Sequence, residues 1–362
     1  MQKKIYLSPP WMGGTEQTRV NAALESGWIA PCGPAVDEFE QRLAQLSTRH
    51  VAAVASGTAA LDLLMHELSV GPDTTVFASD LTFISTVGPA FHRGAKLALI
   101  DSDAATGTMS MAHLEEALTS LKPTKAVIIA ADIYGQCSDY DQLESLAARH
   151  HAQLIIDAAE AVGATCRNRP AGAAGLAAVY SFNGNKLITT SGGGAVLSSD
   201  LDLVNRARWR AQQSREPHPW YEHREVGYNY RLSNPLAAFG CGQLDALDEI
   251  IRRKRAIFEF YLRVLAGRAL PYPCADYSAS TRWLSVFLYP NRQARDEAAK
   301  RLGAANIESR PVWKPMHLQP VFAEFPVFGG EVSADFFERG ICLPSGAGLD
   351  GNDLERIAAA LE

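Results

Sequence analysis

From residue 51 to about residue 200 the chain alternates short, almost purely apolar runs with amphipathic stretches. No other feature constrains the fold as strongly. Residues 51–54, 75–78, 96–100, 126–130, 154–156 and 178–182 read as strands, and 195–198 as a further strand beside them. Residues 59–65 and 141–150 carry helical periodicity. A strand that is apolar at nearly every position is buried on both faces. The alternation therefore predicts an α/β fold with a mostly parallel sheet covered by helices on both sides. Ligands of such sheets bind beyond the carboxyl ends of the strands.

After about residue 240 the pattern changes. A long amphipathic helix is predicted over 244–264, followed by shorter elements punctuated by Pro271, Pro273, Pro290, Pro311 and Pro315. A chain of 362 residues has room for two domains. The expected division is a large ligand-binding domain over 1–245 and a smaller α/β domain over 246–362 that includes the long helix. The first twenty or so residues are expected to cross onto one of the two domains, the small one being the candidate.

Formal net charge is −6, which gives no electrostatic reason for a nucleic-acid partner. The cationic run Arg252-Arg253-Lys254-Arg255 reads as a solvated helix face. Lys3 and Lys4 are followed by a short apolar stretch broken at Pro9 and Pro10, unlike a signal peptide. No apolar run approaches the ~20 residues of a membrane span. The six cysteines are scattered without paired spacing, so neither a metal site nor a disulfide framework is expected, and a cytoplasmic location fits best.

Three chemically different groups fall at strand ends. Ser56-Gly57-Thr58-Ala59 joins a strand to a helix, where backbone N–H groups make an anion site; a helix cap is the plainer alternative. Asp157 ends an apolar strand, where a lone Asp is most often a turn residue. Lys186 follows the next strand, in Tyr180-Ser181-Phe182-Asn183-Gly184-Asn185-Lys186, ahead of the tight turn Ser191-Gly192-Gly193-Gly194. An acid and a lysine so placed match what pyridoxal phosphate (PLP) requires. The lysine binds the cofactor aldehyde as a Schiff base, and the acid keeps the pyridinium nitrogen protonated so that the ring accepts electrons. Phe83 is placed either to stack on the ring or to fill the core, and Glu160 either to edge the cofactor or to face solvent. The loop 227–234 and the segment Arg310-Pro311-Val312-Trp313-Lys314-Pro315-Met316-His317 have compositions suited to binding, the latter to a nucleotide diphosphate and base.

Taken in order, Ser56-Gly57-Thr58-Ala59-Ala60-Leu61, Tyr134-Gly135-Gln136, Asp157-Ala158-Ala159-Glu160, Ser181-Phe182-Asn183-Gly184-Asn185-Lys186 and Gly227-Tyr228-Asn229-Tyr230-Arg231-Leu232-Ser233-Asn234 resemble the DegT/DnrJ-type sugar aminotransferases. The likeness runs from about Leu7 to Pro344. It implies the PLP-dependent transferase fold type I (aspartate aminotransferase-like) and a homodimer with shared active sites. Lys186 would then be the Schiff-base lysine and Asp157 the pyridinium partner. Phe83 would stack on the ring. Gly57, Thr58, Ala59 and Ser181 would surround the phosphate, with Glu160 and Asn183 at the cofactor edge. Asn229 would reach the cofactor phosphate of the other subunit, and Trp28, Ile29, Arg310, Trp313 and His317 would be substrate contacts. Glu160 stands where many members have glutamine. The segments 183–186 and 310–317 are most similar to enzymes that aminate C4 of a UDP-linked 4-keto-6-deoxy-N-acetyl sugar in the bacillosamine pathway, with L-glutamate as donor. Two rivals differ in chemistry. A PLP-dependent sugar dehydratase would carry histidine where this chain has Lys186. A nicotinamide oxidoreductase would need Gly-x-Gly-x-x-Gly after an early strand, and none is present.

Overall fold

The computed structural model describes residues 3–362. The apolar runs become β1 (His50–Val54), β2 (Thr75–Ser79), β3 (Lys96–Ile100), β4 (Ala126–Ala131), β5 (Gln153–Asp157), β6 (Ala177–Ser181) and β7 (Gly194–Ser198), joined late in the chain by β8 (Val327–Phe328). They form one eight-stranded sheet in the order β1-β7-β6-β5-β4-β2-β3-β8. Pairing is parallel from β6 through β8, and β7 alone runs antiparallel to both its neighbours. The expected mostly parallel sheet is therefore present.

Alternate residues of each strand feed opposite faces, as the two-residue period of a strand requires. On β5, Ile156 joins Phe39, Phe77, Ile128 and Tyr180 on one side, while Ile155 joins Leu61, Leu64, Val76 and Val179 on the other. All are buried. Each such side chain contributes about 1.5–3 kcal/mol by leaving water, and that double burial explains why these strands have no polar face.

A second, four-stranded antiparallel sheet follows, in the order Leu270–Pro271, Ser285–Leu288, Gly340–Leu343, Arg310–Pro311. Its own core gathers Phe258, Tyr261, Phe287, Ile341 and Ile357, together with Ile5 from the N-terminal segment. That segment then leaves this sheet: helix Glu16–Glu25 packs on helix Asn234–Asp245 beside the large sheet. The long helix begins later than its periodicity suggests. Asn234–Asp245 and Leu247–Val264 are separate helices that meet at Ala246, whose φ and ψ of −102° and 3° break the helical path. Asp248 and Glu249 in the first turn of the second helix oppose its dipole and favour a fresh start there. No helix among the described residues is long and apolar enough to cross a membrane.

Candidate active site

The carboxyl ends of β1, β4, β5 and β6 open onto one cavity of about 290 Å³. Gly57, Thr58, Phe83, Asp157, Glu160, Ser181, Asn183, Lys186 and Trp313, all singled out in the sequence, line it. Parallel strands present their last residues on one edge, so residues far apart in the chain meet there without a long loop.

Asp157 is the last residue of β5 and is 6% exposed. Its Oδ2 accepts from Thr86 Oγ1 at 2.7 Å and its Oδ1 from the Ala159 N–H at 3.2 Å. Burial raises its pKa, and the Thr86 and Ala159 bonds and the Lys186 charge offset only part of that rise. The carboxylate is hydrogen-bonded and feels the Lys186 charge, yet its burial outweighs both.

Lys186 occupies a loop closed at its base by two bonds, Phe182 N–H to Gly193 O at 2.8 Å and Thr190 N–H to Phe182 O at 2.9 Å. Its Nζ lies 3.5 Å from Glu160 Oε1 and 4.4 Å from the centre of the Trp283 ring. Glu160 is not a solvent-facing residue of a helical turn. Its Oε2 accepts from the Tyr134 N–H at 3.0 Å and its Oε1 from Trp313 Nε1 at 3.2 Å. Burial raises the Glu160 pKa, and the Lys186 charge is the largest influence in the other direction.

Across the cavity, helix Gly57–Glu67 begins at its cap, Ser56, whose Oγ accepts the Ala59 N–H at 3.0 Å. The cap engages Ala59, which does not line the cavity, and leaves Gly57 and Thr58 at the open helix end. Cap and anion site are thus compatible functions of one turn. β7 backs closely onto this turn: a Cβ on Gly194 would fall 2.4 Å from the Ser56 carbonyl carbon and 2.5 Å from the Gly57 nitrogen. Gly194→Ala is therefore expected to cost about 1–3 kcal/mol of stability and to weaken anion retention. Thermal melts with and without PLP measure both effects, and an unshifted melt would show that the turn can yield.

The remaining candidates lie elsewhere. Asn229 lines a separate cavity of about 400 Å³ with Gln212, Arg215, His218 and Arg231. Trp28 and Ile29 are 50% and 61% exposed on the outer surface. Arg310 is exposed and paired with Glu308 at 3.0 Å. His317 is turned onto buried Asp80, Nδ1 to Oδ2 at 2.6 Å, a contact that raises its pKa. Thr86 and Trp283 reach the cavity without having been anticipated. Nothing near Trp283 in the chain marks it, whereas Thr86 could have been suspected from its place one turn beyond Phe83.

The donor set fits PLP. A buried carboxylate in need of a cation faces a lysine amine, and a helix N-terminus flanked by hydroxyls suits a phosphate. When bound, PLP supplies an electron sink and a carrier for the amino group.

Comparison with known proteins agrees. The DegT/DnrJ/EryC1/StrS aminotransferase family matches residues 10–362. EpsN of Bacillus subtilis (strain 168), described as a pyridoxal phosphate-dependent aminotransferase, is 41% identical over 100% of this chain and 96% of its own length. GDP-perosamine synthase of Caulobacter vibrioides is 34% identical, covering 99% of this chain and 98% of that one. The PLP form of the sugar aminotransferase Spr1654 from Streptococcus pneumoniae superposes with a TM-score of 0.91 at 26% identity, over 99% of this chain and 98% of that chain. The chain is a PLP-dependent aminotransferase and belongs to the DegT/DnrJ/EryC1/StrS family.

Proposed function

We propose that this enzyme transfers an amino group from L-glutamate to C4 of a nucleotide-linked 4-keto-6-deoxy sugar, with UDP-2-acetamido-2,6-dideoxy-4-keto-glucose as the leading substrate. The observation that carries the proposal is the shared cavity in which the Lys186 amine, the Asp157 carboxylate and the open end of helix Gly57–Glu67 converge. Lys186 takes the proton from the donor's Cα and, in the second half-reaction, delivers a proton to C4 of the sugar. Asp157 holds the proton on the cofactor's ring nitrogen throughout. Trp313 gives the sugar an aromatic wall beside Glu160.

The active form in this proposal is a cytoplasmic homodimer with shared sites. Its support is the position of Asn229, which lines a cavity of its own instead of the one holding Lys186 and is free to serve a partner's site. Exposed Trp28, Ile29, Trp220, Tyr221 and Val226 supply apolar surface for such an interface. A GDP-linked substrate is the second reading, favoured by the likeness to GDP-perosamine synthase.

The test is direct. Purified enzyme with PLP should be yellow and should lose that colour when glutamate is added. A panel of UDP-, GDP- and dTDP-linked 4-keto-6-deoxy sugars, followed by mass spectrometry, should then show one ketone converted to an amine and the colour restored. Amination of GDP-linked sugars alone would replace the UDP assignment. Turnover of simple 2-oxo acids with every sugar ignored would sink the sugar reading and leave the aminotransferase intact.

A further inference from the structure

Asn185, the residue before Lys186, is held from two sides through its carbonyl oxygen. Ser8 Oγ donates to it at 3.0 Å and the Trp283 indole N–H at 2.8 Å. The face of the same indole lies 4.4 Å from Lys186 Nζ. Trp283 is 1% exposed. Behind it sits Lys254, 3% exposed, whose Nζ donates to the Trp283 carbonyl at 3.0 Å and to the Ser345 carbonyl at 2.7 Å. The Ser345 N–H in turn donates to the carbonyl of Leu7, the neighbour of Ser8. Lys254, Trp283, Asn185, Ser8, Leu7 and Ser345 thus close a ring of bonds around the backbone that presents Lys186.

Lys254 has no carboxylate partner among the described residues, and burial alone lowers its pKa to about 7. A buried amine without a counter-ion is costly, and a methionine of similar volume would fill the space without that penalty. Packing therefore does not account for it, whereas two otherwise unserved carbonyls do.

We propose that Trp283 and Lys254 are positioning residues of the transamination. Trp283 fixes the place of the Lys186 amine between its indole face and the Glu160 carboxylate, and Lys254 fixes Trp283. Lysine has a long flexible stem, so an amine that must both bind cofactor and carry protons needs a wall to rest against. A cation over an indole face is attracted to it, and here the ring is shielded from water.

Three variants test this. Trp283→Leu removes the face and the N–H, Trp283→Phe keeps a face, and Lys254→Met keeps volume while removing the buried charge. With the amino donor, kcat is expected to fall about 100-fold for Trp283→Leu and about tenfold for Lys254→Met, with KM changed less than about twofold. Trp283→Phe should recover part of the loss. The double variant Lys254→Met with Trp283→Leu should be no slower than Trp283→Leu alone, because both changes act through one group. The rate at which yellow colour develops when PLP is added to PLP-free protein should fall in the same order. Lys254→Met sheds a buried charge but leaves the Trp283 and Ser345 carbonyls without their donor, two opposing costs, so it should stay folded with a melting temperature near wild type and remain interpretable if Trp283→Leu folds poorly. Multiplicative losses in the double variant would overturn the link between the two residues. Wild-type kcat and wild-type PLP capture in Lys254→Met and Trp283→Phe would overturn the proposal.

Discussion

Lys186→Ala is expected to lower turnover by about 10⁴-fold or more while leaving the fold in place. Among the described residues Lys186 is the only lysine lining the cavity, so no second primary amine there can take over. Ser56, Ser85 and Ser181 are close, but none is paired with a base that would activate it. Glu160, 3.5 Å from Nζ, cannot form the Schiff base. Loss of the lysine removes an attractive charge from the Glu160 carboxylate, which burial already raises. Protonation then neutralises it, and its bonds from the Tyr134 N–H and the Trp313 indole N–H remain available. The melting temperature should accordingly stay near that of wild type. Reduction with borohydride followed by mass spectrometry should place PLP on Lys186 in wild type and find none attached in the variant. Lys186→Arg should be equally inactive, since a guanidinium stays charged and is a poor nucleophile. Added ethylamine should restore a small part of the proton transfer to Lys186→Ala. Full activity in the alanine variant would remove the basis of the chemical assignment.

Three parts of this site that were legible in the sequence share one property: each sits at the end of an apolar strand. Parallel strands buried on both faces leave no choice about which edge carries Asp157, Ser181 and the Ser56–Gly57 turn, so periodicity alone brings them together. Lys186 was legible through its flanks, because Asn183, Asn185 and the glycine turn mark a close-packed loop. What was not legible depends on partners supplied from a distance. Lys254 sits in a run of four cations that reads as a solvated face, yet its two carbonyl partners come from residues 283 and 345, and they draw it inside. His317 reads as a ligand group, but its local composition does not reveal that buried Asp80 occupies its Nδ1. The break at Ala246 was hidden for another reason. The amphipathic pattern continues across it, and only the backbone torsion interrupts the helix.

Asp157→Asn tests the proposed electronic role of the carboxylate apart from its place in the fold. Asparagine fits the site. Its carbonyl oxygen can keep the Ala159 N–H, now 3.2 Å from Oδ1. Its Nδ2 can donate to Thr86 Oγ1, provided that hydroxyl turns its proton toward Thr82, 2.6 Å away, where either oxygen can be the donor. An amide cannot hold a proton on a pyridine nitrogen as a carboxylate does, so the electron sink is lost. Removing one partner of a buried charge pair costs about 3–5 kcal/mol, or roughly 10²- to 10⁴-fold if the whole cost falls on kcat. Stability of the PLP-free protein should move the other way. The Asp157 pKa is raised from its ordinary 3.8 by burial. In the window from 3.8 up to that raised value the folded state binds more protons than the unfolded state, so wild type loses stability as pH rises through it. Asparagine carries no such penalty. The PLP-free variant should therefore melt at or above wild type at pH 8, with the difference shrinking in acid. PLP should add less to its melting temperature, because the stabilisation follows the affinity lost with the carboxylate. Lower activity, a steadier PLP-free protein and a smaller PLP-induced shift in one variant are what a ring-nitrogen partner requires. A turn residue would give unchanged kcat and the same response to PLP.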